Sequence, residues 1–404
     1  MKILQLGAGM MGRGGIKVLQ YFEGIEKVTV ADINLELAQE FADSLNFPET
    51  DAIELDAKDT EKLKEVAKDY DIVFSTVGPY TEIGGPILEA VIEAGTNYVD
   101  VCDDDDATLE FLGYDEKAKK AGVTALIGCG QTPGTANVQA KYLAEMVDSV
   151  HSIEIAWATD IPNFGDAEEG ETYYFETPEQ FMEESPAGWN HMVHGATGDI
   201  TVWRDGKYET IRSWEDGKYV DFAQPMGRYP TWYFGHSEPV TLPRYIDIEH
   251  WSACLGGDHL HWAFREAARG HKEAINPPVD DGSPLWEAPE KWSDKNVWQG
   301  QAAILEGTKD GQKVRYTNRY MCSIYDKEIY SFAGQAIGIY LLGNMKNPEP
   351  GVFAPEGLLD SEEFFTELVR INNEAHGWDF TLEEFLPTEK EVIEEFTDFS
   401  TVGK

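Results

Sequence analysis

The feature that most constrains the fold is a glycine-rich turn close to the amino terminus. It reads Gly7-Ala8-Gly9-Met10-Met11-Gly12, follows the apolar segment 2–6 directly, and leads into a helical pattern. In a strand–turn–helix unit the first glycine allows the tight turn, the second lets a diphosphate approach the backbone, and the third lets the helix pack on the strand. The free N–H groups at the helix N-terminus favour an anion. The pattern therefore predicts that these six residues bind the diphosphate of a dinucleotide.

The rest of the amino-terminal third alternates apolar runs with helical patterns. The intervening segments 35–45 and 60–67 carry apolar residues at helical spacing, and Asp59 and Thr60 offer an N-cap for the second. Alternating strands and helices indicate a parallel sheet. We therefore predict an α/β fold with a doubly wound Rossmann domain over residues 1–131. Its predicted strands are 2–6, 27–31, 52–55, 72–76, 98–101 and 123–127.

A chain of 404 residues is too long for a single hydrophobic core. Residues 132–330 are rich in Trp and Tyr and contain strand-like pieces at 153–158 and 200–203, which predicts an α+β domain for substrate binding and dimerisation. We interpret its aromatic side chains mainly as core or subunit-interface packing. Segment 331–345 reads as one helix with a tight packing face, and 331–404 is predicted to be a helical segment that packs back on the first domain. The small residues of that face are Ala333, Gly334, Ala336 and Gly338.

Charge and cysteine usage exclude several classes of protein. The net charge is −42 and no run of Lys or Arg interrupts it, so nucleic acid is not an expected partner. This acidity suits solubility, a salty cytoplasm or a cationic substrate, and the sequence leaves the three open. Four cysteines without a C-x-x-C pattern predict reduced thiols, no disulfide framework and no metal site. The apolar start is too short for a signal peptide or membrane span, so we expect a cytoplasmic protein without a membrane partner.

Two positions bear on the cofactor. Asp32 lies 23 positions beyond Gly9, at the end of the second predicted strand, where a carboxylate accepts hydrogen bonds from the adenosine ribose. It would repel a 2′-phosphate, and no Arg or Lys follows within a few residues, so NAD is the first choice and NADP the second. Asp56, after the third strand, is expected to approach the adenine or to be an ordinary surface residue.

Two further loops follow strands at the carboxyl edge of the sheet, where ligands of doubly wound folds bind. Val77-Gly78-Pro79-Tyr80 is predicted to lie beside the nicotinamide ribose, with Tyr80 either relaying a proton or packing passively. The run 103–106 consists of four Asp residues, which crowd one another and raise one another's pKa. It predicts a general base or a cation site, with helix capping near Ala107 as the equal alternative. A divalent metal is disfavoured because the spacing fits no calcium loop.

Other candidate substrate contacts are weaker. Thr132 and Pro133 are predicted as N-cap and first residue of a helix, whose N–H groups, from Gly134 onward, would hold a substrate carboxylate. Cys129 has no neighbouring His and is interpreted as a packing residue. In the second domain the candidates for substrate contacts are Arg228, His236 and Arg244, each of which alone is more often structural.

Taken together, these motifs resemble the saccharopine dehydrogenase family. The resemblance rests on the glycine turn, Val77-Gly78-Pro79-Tyr80, segment 94–100 and the run from Thr132 to Asn137, and continues more loosely in 351–356. It implies hydride transfer at a carbon–nitrogen bond, a site between two domains, a chain that returns to the first domain, and a homodimer. Tyr80 matches the family's active-site tyrosine, and Asp103 and Asp104 stand where the family has polar active-site residues.

The run of four Asp residues and Thr132 depart from the family pattern. The combined prediction is an NAD(P)-dependent enzyme that oxidises an amine of an amino acid such as lysine or saccharopine through an imine. Asp103 or Asp104 would act as the base, and Asn137 would join Thr132, Pro133 and Gly134 in binding substrate. The alternatives are a reductive condensation like that of carboxynorspermidine synthases and a dinucleotide-sensing protein without catalysis.

Overall fold

A computed structural model of the protein describes residues 1–160, 186–223, 226–258, 298–320 and 327–404. The chain divides into two compact units. The first, called here the Rossmann unit, comprises Met1–Tyr142 and Glu328–Leu382. The second, the sheet unit, comprises Leu143–Lys327 and Glu383–Lys404. No helix within the described ranges is both long enough and apolar enough to cross a membrane.

The Rossmann unit is built on a parallel sheet of seven strands in the order β15-β6-β5-β4-β1-β2-β3. Strands β1 to β6 lie in the spatial order 3-2-1-4-5-6 of a doubly wound fold. The predicted fold class is therefore confirmed. The third strand begins three residues before its predicted start, because an edge strand only half buried shows little apolar pattern. The bounds, numbered in chain order, are β1 Lys2–Leu6, β2 Lys27–Asp32, β3 Glu49–Glu54, β4 Ile72–Ser75, β5 Asn97–Asp100, β6 Thr124–Leu126 and β15 Gly351–Phe353.

Helices connect these strands, and several begin at the side-chain caps that the sequence supplies. Asn34, Asp59 and Asp360 each accept a hydrogen bond from an N–H in the first helical turn. The α-helices are α1 Met10–Val18, α2 Leu35–Asp43, α3 Thr60–Ala67, α4 Gly85–Ala94, α5 Asp105–Leu112, α6 Asp115–Ala121, α7 Thr135–Ala144, α10 Lys327–Asn344, α11 Pro355–Leu358 and α12 Ser361–His376. A 3₁₀ turn spans Leu19–Tyr21 and a π-helical turn spans Tyr80–Gly84.

The small residues of α10 form the tight packing face that the sequence predicted. A Cβ on Gly334 would lie 2.1 Å from the carbonyl oxygen of Gly130, and one on Gly338 would lie 2.2 Å from the sulfur of Cys129. A Cβ on Gly14 of α1 would likewise meet the ring of Phe332 at 2.1 Å. The helix can approach α1 and the loop after β6 this closely only because these positions have no side chain.

The course of the chain differs from the predicted domain boundaries. The predicted boundary at 131/132 lies at 142/143 in the structure, because most of α7 packs within the Rossmann unit, where Lys141 Nζ donates to the Leu359 carbonyl at 2.6 Å. Residues 351–353 return to the first sheet as β15. Residues 383–404, however, belong to the sheet unit. Within this segment, residues 388–392 form a strand that pairs with the second sheet, where a helix was predicted.

The sheet unit holds a mixed sheet of nine described strands. Its main path is β10-β11-β12-β7-β13-β14-β16, with the β8–β9 hairpin joined to β12. The predicted strand pieces 153–158 and 200–203 lie within β7 and β8, and Asp205-Gly206 forms the turn of the hairpin. The bounds are β7 Ser149–Asp160, β8 Asp199–Arg204, β9 Lys207–Arg212, β10 Gly217–Asp221, β11 Arg228–Tyr233, β12 Ile248–Asp258, β13 Trp298–Lys309, β14 Gln312–Tyr320, β16 Thr388–Val392, α8 Pro186–Ala196 and α9 Glu238–Tyr245, with α13 Leu382–Phe385 at the unit boundary.

One buried carboxylate ties the carboxyl-terminal segment to this sheet. Glu306 on β13 accepts hydrogen bonds from Arg315 at 2.7 and 3.0 Å and from the N–H and hydroxyl of Thr397, both at 2.7 Å. These hydrogen bonds hold the pKa of Glu306 below its usual range, against the opposing effect of burial. The carboxylate therefore anchors the segment that follows β16.

Candidate functional site

The glycine turn after β1 has the geometry that the sequence predicted. Gly7 has a φ of +91° and its N–H donates to the carbonyl of Ala31 at 2.8 Å. A Cβ on Gly12 would lie 2.4 Å from the carbonyl oxygen of Gly7, so the third glycine is required by close packing of α1 on the strand. A Cβ on Gly9 would meet nothing within 4 Å. The space above Gly9 is open, as the approach of a diphosphate requires.

Asp32 lies directly beside this turn. Its Oδ2 accepts a hydrogen bond from the N–H of Ala8 at 2.8 Å, and its Oδ1 accepts one from the N–H of Asn34 at 2.8 Å. The exposed side chains of Ile33 and Leu35 follow it. A half-buried carboxylate next to exposed apolar groups fits the ribose and adenine of a dinucleotide.

Arg13 also lies at this turn, although it was not among the predicted cofactor-binding residues. Its Nε donates to the carbonyl of Ala8 at 2.8 Å, and its guanidinium carbon lies 5.3 Å from the ring centroid of Phe41. The signal was available, because Arg13 follows the last glycine of the motif directly. Asp56, in contrast, lies exposed after β3, where its Oδ1 accepts from the N–H of Lys58 at 2.9 Å; its approach to the adenine stays a prediction.

Tyr80 lies on the buried side of the loop that follows β4. Its hydroxyl donates to the carbonyl of Ser75 at 3.1 Å, and its ring contacts Phe111 edge to face. Burial raises the pKa of this phenol well above its ordinary value. These contacts favour passive packing over the proton relay that was the other interpretation. The preceding residues Val77, Gly78 and Pro79 are half-buried at the carboxyl end of β4, where the nicotinamide ribose was expected.

The acidic run after β5 divides into residues with different surroundings. Asp105 and Asp106 belong to α5, where Oδ1 of Asp105 accepts from the N–H of Asp106 at 3.0 Å and Oδ1 of Asp106 from that of Ala107 at 2.8 Å. The side chains of these two thus bind N–H groups of the first helical turn. Asp104 is the buried N-cap residue, whereas Asp103 is half-buried and precedes the helix. Of the two predicted bases, Asp103 is the more accessible.

Asp100 is a buried carboxylate that the sequence analysis treated only as the end of a strand. Its Oδ1 accepts hydrogen bonds from the N–H groups of Cys102 at 3.0 Å and Gly128 at 2.8 Å. Burial raises the pKa of Asp100 to about 7, although the two N–H donors oppose the shift. Asp100 thereby joins the carboxyl end of β5 to the loop that leads into α7.

The predicted start of α7 is wrong. The helix begins at Thr135, so Thr132 is not its N-cap and Pro133 is not its first residue. The N–H of Gly134 donates to Oδ1 of Asn137 at 2.8 Å, and those of Thr135 and Ala136 donate to carbonyls of the same loop at 3.0 Å. Because internal acceptors take these N–H groups, they are not available for a substrate carboxylate. Asn137 is itself buried, whereas Thr132 is half-buried.

The candidates in the sheet unit lie in different environments. Arg228 is exposed at the start of β11, with its guanidinium 5.5 Å from the ring centroid of Tyr219, and Arg244 is exposed in the last turn of α9. His236 is buried, and its Nδ1 lies 2.8 Å from a carboxylate oxygen of Glu238. A substrate contact by any of the three stays a prediction.

The thiols of Cys102, Cys129 and Cys254 are free and buried, and Cys322 lies outside the described residues. The sulfur of Cys129 lies 3.3 Å from the carbonyl of Gly334, and burial raises its pKa. Its interpretation as a packing residue is therefore confirmed.

Comparison with known proteins identifies a family whose sequence model includes the glycine turn. The sequence model of the family described as "Saccharopine dehydrogenase NADP binding domain" matches residues 3–126. The match covers most of the predicted dinucleotide-binding domain. The predicted resemblance is thus confirmed for the saccharopine dehydrogenase domain, and a nicotinamide dinucleotide is its cofactor type; the match does not decide between NAD and NADP.

Relatives and a solved structure extend the comparison beyond that domain. Carboxynorspermidine synthase of Vibrio cholerae is 24% identical over 65% of this chain and 64% of its own length. Carboxyaminopropylagmatine dehydrogenase of Synechocystis is 26% identical over 38% of this chain and 40% of its own. Apo saccharopine dehydrogenase (L-Glu forming) from Saccharomyces cerevisiae has the same fold, with a TM-score of 0.62 at 18% identity over 97% of this chain and all of that one. The matches to the carboxynorspermidine synthase and the carboxyaminopropylagmatine dehydrogenase thus span less than two thirds of those two relatives' own length.

Proposed function

We propose that this protein is an NAD(P)-dependent oxidoreductase that acts on a carbon–nitrogen bond of an amine carrying a carboxylate. The observation that carries the proposal is the open space above Gly9 beside the Ala8 to Asp32 hydrogen bond, in a domain of the saccharopine dehydrogenase family. NAD is the preferred cofactor in this proposal, because the Asp32 carboxylate would repel a 2′-phosphate.

For the substrate, we favour a carboxylated polyamine or a cationic amino acid such as lysine over saccharopine. Two relatives carry names of carboxylated polyamine enzymes, which supports the first class. Saccharopine has three carboxylates and would call for several Arg residues, whereas this chain has a net charge of −42 and an acidic run after β5. A polycationic amine is attracted by such a surface.

Asp103 is the proposed base. An amine must lose its proton before a hydride can leave the adjacent carbon, because an ammonium has no lone pair to donate. Asp103 is half-buried after β5. The Tyr80 hydroxyl, in contrast, donates a hydrogen bond to a backbone carbonyl and keeps its proton. When bound, the nicotinamide ring supplies the hydride acceptor or donor, and the protein positions the reacting carbon against it.

The test is an absorbance assay for reduced nicotinamide with either cofactor and a panel of lysine, saccharopine, carboxynorspermidine and carboxyaminopropylagmatine. We expect turnover with one cationic substrate. Asp103→Asn should lower kcat at least about 100-fold, as loss of a general base does. The matched control Asp104→Asn changes a buried helix N-cap and should alter stability more than kcat.

Three outcomes would contradict parts of this proposal. Turnover of saccharopine alone would overturn the substrate class, and normal kcat in Asp103→Asn would remove the base. Tight cofactor binding without turnover of any amine would favour the dinucleotide-sensing alternative. A homodimer, proposed from the family resemblance, is tested by light scattering of the same preparation.

A further inference from the structure

Three buried side chains with metal-ligating atoms converge in the sheet unit. His236 lies in the segment that joins β11 to α9, Glu238 is the first residue of α9, and Cys254 lies within β12. One ligand atom from each lies within 4.8 Å of the other two, and all three residues are buried. Nδ1 of His236 and Oε2 of Glu238 are 2.8 Å apart.

The fold of the sheet brings the three together. The N–H of Phe234 donates to the carbonyl of Cys254 at 3.1 Å, which pairs the end of β11 with β12 at the cysteine. Two residues later the chain places His236 beside the thiol, and α9 begins at Glu238. Two of the three residues therefore lie on regular backbone, Cys254 on a strand and Glu238 on a helix, and His236 lies in the short loop that leads into that helix.

Glu238 is the residue whose surroundings are incomplete. It is 0% exposed, and among the described residues its Oε2 contacts Nδ1 of His236. Its other oxygen, Oε1, is buried and has no hydrogen-bond partner among the described residues. An uncompensated buried carboxylate oxygen is costly, because it loses hydration without gaining a donor. A cation beside Oε1 would remove that cost.

Cys254 presents its sulfur to the same space. Burial, followed by the charge of Glu238, raises the pKa of this thiol. A metal ion reverses this balance, because a coordinating thiol gives up its proton to become a thiolate ligand.

We propose that His236, Glu238 and Cys254 bind one Zn²⁺ ion in the sheet unit, with a fourth position for water or another ligand. Nitrogen, sulfur and carboxylate oxygen donors together are typical of zinc, whereas magnesium and calcium take oxygen ligands. Bond lengths of about 2.0–2.3 Å place tetrahedral ligand atoms about 3.3–3.8 Å apart. Adjustments of about 1 Å would therefore form the site. Binding releases the thiol proton to solvent, while His236 coordinates as neutral imidazole.

The test uses the full chain, stripped with a chelator and then titrated with Zn²⁺ or Co²⁺. We expect one metal ion per chain and, with Co²⁺, a thiolate-to-metal charge-transfer band. Cys254→Ser and Glu238→Gln should each weaken metal binding by at least about 10–100-fold. Cys129→Ser is the matched control, because it removes another buried thiol, in the Rossmann unit, and should leave the metal affinity unchanged.

The cobalt spectrum of the unmodified protein keeps the proposal testable even where a variant fails to fold. A folded protein that takes up no stoichiometric Zn²⁺, or that binds Co²⁺ without a thiolate band, would overturn the site. Metal affinity that is unchanged in Cys254→Ser, with folding confirmed by circular dichroism, would place the ion elsewhere and overturn it as well. A rise of the melting temperature with Zn²⁺ in the unmodified protein, absent in Cys254→Ser, would support it.

Discussion

Replacing Gly9 and Gly12 separately by alanine distinguishes binding of a dinucleotide from mere packing of a turn. At Gly12 the added methyl would lie 2.4 Å from Gly7 O and from Gln5 Nε2. At Gly9 the methyl would meet nothing within 4 Å, and the backbone has a φ of −74°, which alanine adopts freely. The same substitution thus meets protein atoms at one position and open space at the other.

The expected magnitudes follow from these contacts. Overpacking costs about 1–3 kcal/mol, of which the helix preference for alanine over glycine offsets up to about 1 kcal/mol at Gly12. The 2.4 Å contact with a backbone oxygen selects the upper end of the overpacking range, so Gly12→Ala should destabilise the cofactor-free protein by about 2 kcal/mol. Gly9→Ala should leave its stability within about 0.5 kcal/mol or raise it slightly, because alanine restricts the unfolded chain. The Gly9 methyl occupies the diphosphate's approach, and a clash of about 1–3 kcal/mol weakens cofactor binding by about 5- to 150-fold.

The assay combines urea unfolding of the cofactor-free variants with calorimetric titration of NAD and NADP. Gly9→Ala should unfold at the same urea concentration as the unmodified protein and bind cofactor weakly. Cofactor affinity equal to that of the unmodified protein would show that nothing approaches the backbone at this glycine. Unfolding of Gly9→Ala without cofactor would show instead that the open space is filled by the protein itself.

Three further predictions concern single carboxylates. Asp32→Asn should raise the affinity for NADP relative to NAD by about tenfold or more in calorimetry, because it removes the charge that repels a 2′-phosphate. An unchanged preference between the two cofactors would show that Asp32 does not contact the adenosine ribose. Asp100 has a folded pKa raised to about 7, so the unmodified protein should lose stability as the pH rises from about 4 to 7, by at most about 4 kcal/mol, and Asp100→Asn should abolish that slope in urea melts. Glu306 has a lowered folded pKa, so its contribution is present above the unfolded pKa near 4.5 and lost as the pH falls through the folded value. Glu306→Gln should therefore cost about 1–3 kcal/mol at pH 7 and progressively less on acidification; an equal cost at both ends would argue against a charged contact.

The Rossmann unit was predictable because its signals are local in the sequence. Apolar runs of strand length, helix caps such as Asp59 and the spacing of Gly7, Gly9 and Gly12 each report on a few consecutive residues. The structure confirms the strand order that they indicate, and it places Asp32 in contact with Ala8. The edge strand β3 was placed less well, because one half-buried face gives a weak pattern.

The candidate site could be predicted only in part. Sequence spacing placed Tyr80 and the Asp run at the carboxyl edge of the sheet, but it could not tell an inward side chain from an outward one. Tyr80 turns out to donate to Ser75 inside the fold. The start of α7 was misplaced for a similar reason, because Asn137 reaches back to the N–H of Gly134 and the loop is closed by its own carbonyls.

The dinucleotide turn, the parallel sheet and the acidic character of the chain follow from the order and type of residues, since each depends on neighbouring residues or on composition. The burial of Asp100 between two loops and the place of residues 383–404 in the second sheet became known only from the folded chain. Folding also brings His236 and Glu238 to Cys254, which lies 18 and 16 positions further along the chain, respectively. Contacts of this kind depend on strand pairing between distant segments, and neither residue type nor local spacing encodes which segments will meet.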